Sequence, residues 1–335
     1  MALVIILCAG WLAWLLFFPR SYDVLKLKER AGTKYWNLAT GSRIAYNIVP
    51  AQGDKKPFPI VYLHGGPGAG ITDLEIKTLG RLASDGYDVY LYDQIGCGHS
   101  ARLDNLNEYT ADRHRRDLEE IVKQINAGKV ILIAQSWGAI LSVLFIADNP
   151  DKVEKLVITA PAAIQPENKA YGVIAAPDTL NFRPPLYSNR ATHDIAITAR
   201  AKAIEFWLRN FGKKLAADKE ADQLATYFTN YLDKSMVCDP ARAVVAEGTE
   251  GYYVHYMTRL SLGKVQNPRA KLANCKVPAL VMKAQCDNQR WGYATEYLDL
   301  FRNHRFVMVT DAGHNIFIEQ PDAYIVTIRK FLQQS

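Results

Sequence analysis

Short runs of Val, Ile, Leu and Tyr recur along this chain at 59–63, 87–92, 130–134, 153–159, 277–283 and 305–309. Runs of this length, closed by glycine, proline or polar residues, read as buried strands. Between them, apolar residues fall at helical spacing over 74–82, 111–125, 139–147, 293–301 and 316–332. Strands that alternate with helices predict a mostly parallel sheet with helices on both faces. Ahead of the first of these strands, 35–38 and 43–49 flank Gly41-Ser42 and predict an antiparallel hairpin at the sheet edge. From 162 to 270 the alternation stops. Helical patterns at 201–211, 221–232, 240–246 and 252–262, with no good strand among them, predict a helical cap inserted over one end of the sheet. The expected organisation is a core of 22–161 and 271–335 with a cap of 162–270.

Residues 1–18 carry no charge, and eighteen apolar residues reach the lower limit for a bilayer span. No Lys or Arg precedes the run and no small-x-small cleavage site follows it, so an uncleaved anchor over 1–19 is expected rather than a signal peptide. The net charge is +6, and half of it lies between Arg20 and Lys34. Basic residues on that side of the run place the globular part in the cytoplasm by the positive-inside rule. With 49% hydrophobic and 22% charged residues, the composition is that of a globular enzyme, and no basic groove points to nucleic acid. Five cysteines at 8, 97, 238, 275 and 286 show no metal or redox spacing. They predict no disulfide framework and fit a reducing compartment. No metal is expected, since no H-E-x-x-H and no Cys/His cluster is present.

The chemistry concentrates at the C-terminal ends of the strands. The run Val130–Ala134 leads into Gln135-Ser136-Trp137-Gly138 and then a helix, the layout of a nucleophile elbow with Ala134 at the usual first glycine. His64-Gly65-Gly66-Pro67-Gly68 follows another strand and leaves backbone N–H groups bare, as an oxyanion hole requires. Asp287 and His314 each follow a later strand, in the chain order Ser, Asp, His. A serine hydroxyl needs a histidine to take its proton, and the histidine needs a carboxylate to fix its tautomer. Asp311, in the turn that precedes His314, and Asp93, upstream of the serine, are the rival acids. His64 and His99 read as loop-structuring residues.

Taken together, H-G-G-P-G at 64–68, D-Q-x-G-C-G-x-S at 93–100, Q-S-W-G at 135–138, Asp287 and Gly313-His314 resemble the proline iminopeptidase family of α/β-hydrolases. The resemblance implies an α/β-hydrolase fold with a substrate-selecting cap. It implies catalysis by Ser136, His314 and Asp287, an oxyanion hole from Trp137 and Gly65 or Gly66, and no cofactor. Such enzymes hold the free amino group of a peptide with cap acids. Here Leu208 stands where a W-x-x-W-E pattern would carry one of them, whereas Glu250, with Glu247 second, matches the other. The expected substrate is therefore a small peptide with an N-terminal proline-like residue. The alternative is a carboxylic ester, lactone or amide, reached by the same triad under a retuned cap. A hydrolase fold used only for binding is the third reading.

Overall fold

The computed structural model describes residues 1–186 and 190–334. Residues 187–189, inside the expected cap, lie outside it. The chain begins with helix α1 (Ala2–Phe17), followed by strands β1 (Lys34–Asn37), β2 (Arg43–Val49) and β3 (Ile60–Leu63). Next come α2 (Asp73–Leu79), β4 (Val89–Tyr92), α3 (Ala111–Ile125), β5 (Val130–Gln135), α4 (Trp137–Asp148) and β6 (Val153–Thr159). Helices α5 (Arg190–Ala196), α6 (Ala199–Phe211), α7 (Asp218–Leu232), α8 (Tyr252–Ser261) and α9 (Arg269–Leu272) follow, with no strand among the described residues there. The sheet resumes with β7 (Ala279–Ala284), α10 (Trp291–Leu300) and β8 (His304–Val309), and the chain closes with α11 (Ile316–Glu319) and α12 (Pro321–Leu332).

The eight strands form one sheet in the order β1-β2-β4-β3-β5-β6-β7-β8. The β1–β2 hairpin is antiparallel and pairs antiparallel with β4 at one edge; every pair from β4 to β8 is parallel. The apolar runs are covered on both faces, so β3 and β5 are buried along their whole length. Parallel pairing puts the C-terminal ends of β3, β5, β7 and β8 on one side, where ligands of open α/β sheets bind. β3 and β5 are neighbours with Leu63 opposite Ala134, which sets the loop after β3 beside the turn after β5.

Two expectations about the chain start and the cap are corrected. The α1 helix has 16 residues, about 24 Å at 1.5 Å per residue, whereas a bilayer core needs about 20 residues. No helix among the described residues is long and apolar enough to cross a membrane. The expected single-pass anchor over 1–19, and the cytoplasmic placement derived from it, are withdrawn. The C-terminal end of α1 instead meets the region between β6 and β7. Arg200 Nη1 donates to Leu16 O (2.6 Å), Arg20 N donates to Glu220 Oε1 (3.0 Å), and Phe17 packs edge-on against Trp207. Arg200 and Glu220 form a buried ion pair that anchors this contact. In addition, 240–246 is not a helix beyond a short turn at Pro240–Arg242; proline at its start and glycine at 248 favour irregular backbone.

The cysteines also depart from expectation. Cys238 and Cys286 form a disulfide between the segment after α7 and the loop after β7, while Cys8, Cys97 and Cys275 are free. Its partners are 48 residues apart, so no local spacing announced it. The pairing removes the basis for expecting a reducing compartment.

Candidate active site

Ser136 sits between β5 and α4 at φ 53°, ψ −111°, a conformation that strains any residue but glycine. The elbow holds because its surroundings fix it. Ser136 N donates to Thr159 O on β6, and Ala139 N closes the first turn onto Ser136 O. Gly138 lets α4 cross β3 closely: a Cβ there would stand 2.1 Å from Leu63 O. Ala134, where the elbow pattern has glycine, is fully buried and accommodated opposite Leu63.

Gly65 lies against this turn, and a Cβ built on it would fall 3.3 Å from Ser136 Cβ and 2.1 Å from Gln135 Oε1. The loop that carries it is tied down by His64. The ring Nδ1 of His64 donates to Gly65 O (2.9 Å), and Nε2 accepts from Gln94 N (3.0 Å). Gln94 in turn receives the indole N–H of Trp137 (2.8 Å). Burial pushes the His64 pKa down to about 4, so the ring stays neutral and keeps these two roles.

Asp287 and His314, 27 residues apart, meet where β7 and β8 end side by side. His314 Nδ1 lies 2.8 Å from Asp287 Oδ1, and both residues are buried. Lys283 Nζ donates to Asp287 Oδ2 (2.6 Å). Although burial opposes ionisation, the Lys283 charge and the hydrogen bonds from His314 and Lys283 hold the Asp287 carboxyl far below the ordinary carboxylate range. With an ionised acceptor facing Nδ1, the neutral tautomer of His314 carries its proton on Nδ1 and leaves the Nε2 lone pair open. The loop is held by Met236 O, which accepts from His314 N (2.7 Å), and by Glu319, which accepts from Gly313 N (2.7 Å). Gln135 Nε2 donates to Asn315 Oδ1 (2.9 Å), a bridge between the serine turn and the histidine loop.

The rival residues have other partners. Asp93 is buried in an ion pair with Arg30 and accepts from Ile71 N and His99 N. Asp311 takes a positive φ in the turn and pairs with Arg183 at the surface. His99 is bonded to Lys28 O.

Ser136, Gly65, Gly66 and His314 line one cavity of about 540 Å³, which Glu250 and Asp233 reach from the segments around α7 and α8. Glu250 is buried, and its pKa is pushed up to about 7 by burial. Thr226 Oγ1 stands 3.0 Å from Glu250 Oε2 and 2.8 Å from Asp222 O. The Thr226 hydroxyl donates to Glu250 Oε2 and partly offsets the effect of burial on that carboxyl. Asp233 is buried too, with its pKa pushed up to about 8 by burial and by the Glu250 charge, and among the described residues no hydrogen bond relieves it. Glu75, a third acid of the lining, differs because its oxygens are used: Tyr62 OH and Thr72 N donate to it, and it caps α2. Glu247 also lines the cavity and accepts from Asp73 N, whereas Leu208 is buried in the core. Asp233, just past the expected 221–232 helix, was not singled out from the sequence. Among the described residues no cluster of metal-ligating side chains is present.

The sheet order, the strained serine and the buried Asp–His contact define a serine hydrolase on an α/β scaffold. The chain belongs to the alpha/beta hydrolase fold family, whose pattern matches residues 59–321. It is similar to the proline iminopeptidase of Lactobacillus helveticus (strain DPC 4571), 25% identical over 88% of this chain and 95% of that protein. It is also similar to the proline iminopeptidase of Heyndrickxia coagulans, 24% identical over 88% and 96%. Solved structures of the same fold include an esterase from Exiguobacterium antarcticum (TM-score 0.62, 16% identity, 90% of this chain and 99% of that one). A bromoperoxidase from Bacillus anthracis is as near (TM-score 0.61, 16% identity, 90% and 100%).

Proposed function

We propose that this serine hydrolase removes an N-terminal residue, proline-like in shape, from short peptides by way of an acyl-enzyme on Ser136. In the first step Ser136 Oγ attacks the scissile carbonyl carbon while its proton passes to His314 Nε2. The Nδ1–H of His314 stays on Asp287, which stabilises the imidazolium. The carbonyl oxygen, now anionic, takes N–H donors from Trp137, at the positive end of α4, and from Gly65 or Gly66. The proton on Nε2 then goes to the leaving amine as the C–N bond breaks. Water attacks the acyl-enzyme by the same route in reverse, with His314 again the base.

The observation that carries the peptide reading is the pair of buried acids, Asp233 and Glu250, in the cavity that holds Ser136. Asp233, which no hydrogen bond among the described residues serves, is costly to bury unless something charged answers it. A substrate ammonium does that, and as it enters both acids give up their protons to become its counter-ions. Asp233 thus supplies the second carboxylate that Leu208 does not. The relatives named proline iminopeptidase support the same reading.

The second reading, a neutral ester as substrate, is favoured by the raised pKa values of both acids, which leave the cavity with little charge at neutral pH. Turnover of proline arylamide and of short-chain aryl esters by the native protein and by Glu250→Gln and Asp233→Asn separates the two. The peptide reading expects both variants to lose arylamide turnover and keep ester turnover. Ester turnover alone, indifferent to both acids, would leave the ester reading standing.

A further inference from the structure

Lys283 occupies the penultimate position of β7, in a sheet interior where a lysine is out of place, and it is 1% exposed. A buried ammonium is tolerated only if its protons are matched. One goes to Asp287 Oδ2 (2.6 Å) and one to Gln289 O (2.8 Å), and the Phe182 ring lies 5.7 Å away. Gln289 N donates back to Asp287 Oδ1 (3.0 Å), the oxygen that also faces His314 Nδ1. The Asp287 carboxylate therefore accepts from Lys283, from Gln289 N and from His314, and its plane has no freedom to turn.

We infer that Lys283 is a positioning residue of the hydrolase: it clamps the free oxygen of Asp287, aims the other at His314, and keeps the Asp287–His314 pair able to act as a base in acid. The inference rests on the triad assigned under Proposed function. The Lys283 charge favours the ionised form of Asp287, the form that faces His314 Nδ1. The same charge opposes protonation of the Asp287 carboxylate, so the contact with His314 that Ser136 depends on is kept at lower pH. An opposite charge within 4–6 Å lowers a carboxyl pKa by about 1–3 units. A cation at this distance in a buried site therefore governs the low-pH behaviour, and the clamp governs the rate at high pH.

Among the described residues the groups that act on the pair are few. From β7 there is Lys283, and from the loop after β8 there is His314 itself. Cys286, next in sequence, is locked in its disulfide. Asp311 faces Arg183, and Glu319 is taken up by the N–H groups of Gly313, Cys238 and Asp239, with Arg242 nearby.

The test uses the full chain and measures the rate of fluorophosphonate labelling from pH 4.5 to 9 for the native protein, Lys283→Gln and Lys283→Met. Glutamine keeps a donor and loses the charge; methionine loses both. The inference expects the acid limb to move up by about one unit or more in both variants. At pH 9 the glutamine variant should stay within a few fold of native and the methionine variant should fall by about tenfold or more. Profiles parallel to the native one, reduced equally at every pH, would mean that Lys283 only supports the fold and would overturn the inference. If both variants unfold, the native chain labelled with 15N-lysine decides the matter. A slowly exchanging ammonium for Lys283 across this range supports the clamp, and a neutral amine or a rapidly exchanging one overturns it. Labelling that survives in Ser136→Ala would instead remove the triad on which the inference rests, a result distinct from either.

Discussion

Replacing Asp233 by asparagine should make the protein more stable, and the gain should depend on pH. In the fold, burial and Glu250 raise the Asp233 pKa from 3.8 to about 8. In the unfolded chain it returns to the ordinary carboxylate value near 4. A group whose folded pKa is raised gives its full stability contribution below the unfolded pKa and loses it as pH rises through the folded one. Between about pH 4 and pH 8 the unfolded chain has released the proton and the fold still holds it, so each pH unit costs the native protein about 1.4 kcal/mol. Over the whole interval the ceiling is about 5–6 kcal/mol, and rearrangement around the charge brings the expected loss nearer 2–3 kcal/mol. The asparagine of the variant has no proton to lose. The difference in unfolding free energy between variant and native protein, followed by urea titration at pH 4.5, 6, 7 and 8, should therefore grow steadily with pH. A difference that is flat over this range, or a variant less stable at pH 8, would show that Asp233 is solvated or paired, and the argument for an ammonium subsite would lose its first acid.

Ser136→Ala should abolish fluorophosphonate labelling and lower kcat on any substrate by at least about 10³-fold while the protein stays folded; retained labelling would move the nucleophile elsewhere. Gly65→Ala places a methyl group against Gln135 and Ser136, and kcat should fall by about 10²-fold with little change in KM, as read from steady-state kinetics. Unchanged turnover would dismiss this loop as an oxyanion donor. Cys238→Ser with Cys286→Ser opens a 48-residue connection whose closure restricts the unfolded chain by about 4 kcal/mol in the chain-entropy account. For a chain of this size that lowers Tm by on the order of 5 °C in calorimetry, and kcat should fall too, because the bridge adjoins Asp287.

The sheet was legible because each core strand is a short apolar run that ends in the residues needed at its tip. Leu63 runs into Gly65, Ile133 into Ser136 and Val309 into His314, so assigning the strands also located the candidate residues. Chain order favoured Asp287 over Asp93 and Asp311 as the acid; in the structure Asp287 contacts His314, while Asp93 pairs with Arg30 and Asp311 with Arg183. What was not legible depends on contacts between distant segments. An apolar run of the length of 2–17 reads alike whether it spans a bilayer or ends against Trp207 and Arg200. Cys238 and Cys286 carry no mark of each other. Asp233 lies just past the expected 221–232 helix and is buried by the segments around it, and Lys283 reads as the polar tip of a strand until Asp287 turns back onto it. The 240–246 pattern shows the limit of periodicity, since a few apolar residues between proline and glycine served the cavity lining with Val244 and Val245 and formed no helix.

The most direct test of the account is kcat/KM for proline arylamide against a short-chain aryl ester, native protein beside Asp233→Asn and Glu250→Gln. Removing one partner of a buried charge pair costs about 2–5 kcal/mol, so each variant should lose about 30-fold or more on the arylamide and stay within a few fold on the ester. Equal losses on both substrates, or no loss on either, would contradict the claim that these two acids receive the amino group of a peptide.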